Sequence, residues 1–207
     1  MRGTPHLQRS LRYLLAWAPT AAMPRAMSAQ RPVPDAALES GTLSFFARAT
    51  AGDFVGTTSK VTGAIIGGRD YSTTRGWIEA PVRSLVTGNE RRDRDLRESM
   101  EVDRYPTVRF DLNGATFLNP SFESQDSSAM VLHGALTIHG VTRDVDVVAT
   151  VQRCGDTTHV TTRFPIDLAG YRIGRLAKMF GLLRMDREVD VLVDLRFFDT
   201  PTLWAIP

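Results

Sequence analysis

The sequence predicts an all-β fold, an antiparallel barrel or sandwich. Three observations carry the expectation. Apolar and polar residues alternate in run after run from Gly41 onward. Short turn signals separate most of the runs, and no strand–helix–strand rhythm of the parallel α/β kind appears. One chain of 207 residues is long enough for a single domain with a sizeable core.

The elements follow in order. Residues 41–50 place Leu43, Phe45 and Ala47 on one face of a strand. Residues 53–66 read as a bent or bulged strand, because Gly56 and Gly63 interrupt it. After a turn at 67–70, residues 73–82 alternate again, and Pro81 marks a strand end or edge. Residues 106–114 set Val108, Phe110 and Leu112 on one face, and 119–128 read as a loop. Leu132, Gly134, Leu136 and Ile138 then share a face, as do Val145, Val147, Ala149 and Val151. With the tight-turn signal at 139–143 these two runs predict a β-hairpin. Residues 158–168 and 188–198 complete the set.

Two segments break the β rhythm. In 171–188, Ile173, Leu176, Met179, Phe180 and Leu183 fall at helical spacing beside several basic residues. A short amphipathic helix there either plugs a barrel end or acts as a lid on a lipid pocket or membrane surface. The other segment is RRDRDLRESMEVDRYPTVRF, residues 91–110. Its five arginines and five acids between Arg91 and Arg104 cancel, which argues against a phosphate-binding stripe. The spacing predicts a short helix with Asp95 as its cap and Glu98 closing a capping box. Asp93–Arg97 and Arg97–Glu101 are i,i+4 pairs, Leu96 and Met100 seal a barrel end, and Tyr105-Pro106 ends the helix.

Composition narrows the function. The chain has 25 basic and 23 acidic residues, so its bulk charge gives no sign of a nucleic-acid partner. The one cysteine, Cys154, cannot form an internal disulfide and reads as an inert thiol at a strand end. Residues 1–30 carry arginines, a short apolar run and then small residues. They read as an export signal or a disordered tail, and the run is too short to span a bilayer.

No nucleophile elbow, phosphate loop, zincin motif or C-x-x-C pair is present. His133 and His139 flank one strand, about 20 Å apart by strand rise, too far to share a metal. Asp93 and Asp95 read as solvated ion-pair partners rather than an acid pair. No catalytic residue, metal or cofactor is expected.

Four segments together resemble the YceI-like lipid- or polyisoprenoid-binding family. They are GDFVGTTSKVTGAI, TGNERRDRDLRESMEVDRYPTVRFD, HGALTIHGVTRDVDV and REVDVLVDLRF, in this order over roughly 41–198. The resemblance implies an extended lipocalin-like barrel of about eight strands spanning 38–199, with short helices at its ends and a tail at 200–207. It implies a non-enzymatic, exported and usually periplasmic protein that holds a long apolar chain. An imperfect signal leaves a cytoplasmic location open.

The ligand expected is a polyisoprenoid, isoprenoid quinone or fatty-acyl lipid, for transport or storage. The lining expected is Phe45, Ile65, Ile78, Phe110, Leu112, Leu136, Ile138, Val147, Phe164, Ile166, Val191, Val193 and Leu195. Leu176, Met179, Phe180 and Leu183 would form a lid, and Arg92 and Asp93 would be polar contacts at the mouth. A transient membrane contact and a homodimer fit the same reading. From periodicity alone the apolar stripes fit a closed core equally, which would leave an interaction module. An enzyme acting on a lipid-like substrate in the cavity is the remaining alternative.

Overall fold

Alternation dictates what the chain does with its backbone. Strands with one apolar face must cover that face, and closing the sheet on itself does so without leaving an open edge. The computed structural model describes residues 32–49, 52–119, 127–173 and 185–200. It contains β1 (Ala36–Ala49), β2 (Phe54–Thr58), β3 (Thr62–Ile66), β4 (Arg75–Pro81), α1 (Glu90–Ser99), β5 (Thr107–Phe117), β6 (Ser127–Ile138), β7 (Val141–Cys154), β8 (Thr157–Asp167) and β9 (Met185–Asp199). Short 3-10 turns lie at Val82–Ser84 and Leu168–Tyr171.

All nine strands belong to one antiparallel sheet, ordered β2-β1-β3-β4-β5-β6-β7-β8-β9, and β1 pairs with β9 to close it. The expected barrel is therefore present, with eight staves. β2 and β3 lie end to end along one edge of β1 in a single register, Leu43 opposite Thr58 and Ala36 opposite Ile65. They behave as the bent strand read from residues 53–66. The bend falls at Ser59–Val61, where the Lys60 N–H donates to Thr58 Oγ1 at 3.0 Å and leaves the ladder.

The β6–β7 turn is tighter than the sequence suggested. His139 (φ 51°) and Gly140 (φ 70°) form the whole of it, and Val141 already opens β7. Two successive left-handed residues are what a two-residue hairpin with right-handed strand twist requires. At Gly140 the Tyr105 ring also lies where a Cβ would stand, 2.3 Å away.

Outside, polar side chains pair across strands. Arg109 bonds Asp111 at 2.7 Å, reaches Glu79 at 3.5 Å and lies over the Trp77 ring. Arg163 donates to Asp190 at 2.8 Å and, with Arg48, holds that carboxyl below its ordinary range. Such exposed pairs are screened by water and add little to stability. Their role is to keep one face of every strand wet.

Candidate functional site

The inward faces enclose a cavity of about 230 Å³ that runs the length of the barrel. Its walls are almost wholly apolar. Each of the thirteen residues expected to line the interior does so: Phe45, Ile65, Ile78, Phe110, Leu112, Leu136, Ile138, Val147, Phe164, Ile166, Val191, Val193 and Leu195. The reason is the strand period of two, which sends every second side chain to the same face. Sequence reasoning did not choose Phe54, Met130, Val160, Ile173 or Phe197, which also line it. Phe197 and Val160 share the alternation of their strands, so the same signal could have found them.

One end of the cavity is covered by α1, the turn at 139–140 and the 3-10 turn at Leu168–Tyr171. Leu96 and Met100 are buried there and line the cavity, as the sequence suggested. Tyr171 is buried with them, and burial pushes its phenol up against the opposing pull of the Arg143 guanidinium. The expected lid residues Leu176, Met179, Phe180 and Leu183 lie outside the described residues, as do residues 1–30 and the tail from 201.

The charged connector is built differently from its sequence reading. The cap is Asn89, whose Oδ1 accepts from the Arg92 N–H at 3.1 Å, so α1 begins five residues before Asp95. Asp95 sits inside the helix and caps nothing. The helix also ends early. Glu101 takes a left-handed conformation (φ 45°), and the chain turns before Tyr105-Pro106 is reached. Gly88 before Asn89, with φ 73°, is the local signal for the true start.

The expected i,i+4 pairs are replaced by other partners. Asp93 is buried and accepts from both the backbone N–H (2.8 Å) and the hydroxyl (2.6 Å) of Thr87. Glu101 faces Arg104 at 3.9 Å and His139 at 3.5 Å. The Arg97 Nε is buried without a hydrogen-bond partner among the described residues. Geometry decides this. Thr87 is folded back over the first turn and reaches Asp93 before Arg97 can.

Of the two polar residues expected at the mouth, Arg92 lines the cavity and Asp93 does not. Arg92 donates from Nε to Thr87 Oγ1 at 3.0 Å and from a terminal nitrogen to the Thr87 carbonyl at 3.2 Å. Its guanidinium lies 4.5 Å from the centre of the Phe54 ring, which meets the Phe45 ring edge-on. At the other end of the barrel Arg153 lines the cavity and is ion-paired with Asp199.

Replacing Asp93 with alanine should lower stability by about 1–3 kcal/mol, because two donors of Thr87 lose a charged acceptor. Asp95→Ala should stay within about 0.5 kcal/mol of the parent. Urea midpoints at constant slope check both values. Equal losses for the two would contradict the assignment of Asp93 as the connector's anchor.

His133 bonds Thr116 and Asp146, His159 bonds Asp194, and Cys154 is exposed at the end of β7. Among the described residues no cluster of three metal-ligating side chains occurs.

Comparison with known proteins follows the same outline. The family model of the YceI-like domain matches residues 37–197. A polyisoprenoid binding domain from Saccharophagus degradans, implicated in plant cell wall breakdown, superposes with a TM-score of 0.66. It is 18% identical over 81% of this chain and 99% of that one. Burkholderia cenocepacia BcnA gives 0.63 at 16% identity, over 75% of this chain and 95% of its own. A Campylobacter jejuni YCEI protein gives 0.57 at 14%, over 70% and 85%. At these identities the likeness is one of fold. No curated protein matches the chain significantly.

Proposed function

The chain belongs to the YceI-like domain family, and from that premise we propose that it binds one long apolar lipid inside its barrel, as carrier or store rather than as catalyst. The observation that carries the reading is the cavity itself, about 230 Å³ walled by aliphatic and aromatic side chains. Burying one isoprene unit yields roughly 4 kcal/mol gross at about 0.8 per carbon. Three units, about 12 kcal/mol gross, offset most of an association cost in the range of about 4–15 kcal/mol.

The polyisoprenoid binding named for the Saccharophagus degradans domain supports an isoprenoid or a fatty-acyl chain of similar bulk. We place the protein outside the cytoplasm, on the strength of the basic, apolar and small-residue pattern in residues 1–30. A brief contact with a membrane surface would load and unload the chain, and pairing of two copies is compatible with it.

Organic extraction of protein purified from a native-like host, followed by mass spectrometry, tests the proposal. The expected result is a stoichiometric single-chain lipid. Empty extracts, together with no uptake of added prenyl or acyl lipids, would overturn it.

A further inference from the structure

Resting on that reading, we infer that the lipid carries an anionic head, a carboxylate or a phosphate monoester, seated on Arg92. Charge balance along the cavity wall points there. Three arginines touch the cavity wall: Arg92 and Arg153, and Arg109, whose guanidinium is turned to the outer face. Arg109 is held by Asp111 and Glu79, and Arg153 by Asp199. Arg92 alone of the three forms no ion pair among the described residues. Its nearest polar partners are the hydroxyl and the carbonyl of Thr87.

The neighbouring carboxylate is kept away from it. The Thr87 hydroxyl that accepts from Arg92 donates onward to Asp93 Oδ1 at 2.6 Å, so the acid stands behind the hydroxyl and out of direct contact. The network fixes the guanidinium while spending only part of its five donors. The other terminal nitrogen remains for a ligand. Thr87 on one side and the face of Phe54 on the other hold the group rigid. A rigid guanidinium matches the two oxygens of a carboxylate or phosphate, and the contact is strong where water is scarce.

The polarity of the bound chain follows. The head lies at the α1 end. The tail runs past Phe45 and Val191 toward the end where Arg153 and Asp199 neutralise each other.

Displacement of a fluorescent fatty-acid probe tests the assignment on the full chain. The competitors are palmitate, hexadecyl phosphate, hexadecanol and methyl palmitate. The wild type should prefer the two anions over the alcohol and the ester by about ten- to a hundredfold, the scale of a hydrogen-bonded charge contact. Arg92→Gln should remove that preference, and Arg92→Lys should restore part of it.

Acetate and inorganic phosphate at millimolar concentration should not displace the probe, which separates a lipid head from a free anion. Equal affinities for all four chains in the wild type would overturn the assignment even if Arg92→Gln fails to fold. Displacement by the small anions would overturn it as well. Failure of every chain to bind would instead refute the lipid-binding function itself.

Discussion

Val147→Trp should abolish uptake of a long-chain lipid while leaving the barrel folded. Val147 lies on β7 opposite Leu132 of β6, is buried, and lines the cavity between its two ends. An indole at that point occupies much of a 230 Å³ space. Excluding one five-carbon unit forfeits roughly 4 kcal/mol of burial, which is nearly a thousandfold in affinity. The added bulk enters space already open, so the overpacking cost should stay near about 1–3 kcal/mol. Far-UV circular dichroism would confirm the fold, and titration with a fluorescent acyl probe would read the binding. Wild-type affinity in this variant would show that the ligand does not occupy the barrel interior.

Gly134→Ala should destabilise the barrel strongly. A Cβ there would stand 2.4 Å from the Asp111 carbonyl oxygen and 2.5 Å from the edge of the Phe110 ring. The ring could swing aside, since it faces the cavity. The carbonyl cannot, because it belongs to the β5 backbone and β6 is paired with β7 on its other side. Relief requires the β5–β6 ladder to open beside the existing register shift between Leu112 and Gly114. A loss of about 3 kcal/mol is expected, at the top of the overpacking range, and thermal unfolding would measure it. An unchanged midpoint would mean that the Asp111 carbonyl does not lie this close to Gly134.

The fold and the cavity wall were legible because one physical rule governs both. Alternation of Val189, Val191, Val193, Leu195 and Phe197 with Asp190, Asp194 and Arg196 announces a strand, and the same alternation names the residues that meet inside. A wall built by period two is readable from a single sequence. The connector was readable only in outline. Its charge balance and its apolar pair Leu96 and Met100 survive in the structure.

The connector's hydrogen bonds do not survive as read. Spacing offers Asp93 two competing partners, Arg97 four residues on and Thr87 six residues back. Only the folded loop shows that Thr87 is nearer. The start of α1 was missed for a related reason. Asp95 and Glu98 satisfy the capping-box pattern, whereas Asn89, with Arg92 three residues on, does not; it is a favoured cap that follows a glycine in a left-handed conformation. Arg92 stands out from Asp93 only once the barrel has placed one inside and the other behind it.

Closure sets how this chain must fold. The ladder between Ala36 and Asp199 joins the first strand to the last, while most other ladders join neighbours in sequence. Hairpins such as β6–β7 can form locally, but the closing ladder waits until nearly the whole chain is available. Bringing such distant strands together costs loop entropy before any contact repays it, and this ranks the barrel among slow folders. Until then β1 and β9 each expose a bare edge, the state in which a β-rich chain is most prone to pair with its neighbours. The zip that closes the barrel is also the last step by which the molecule leaves its aggregation-prone state.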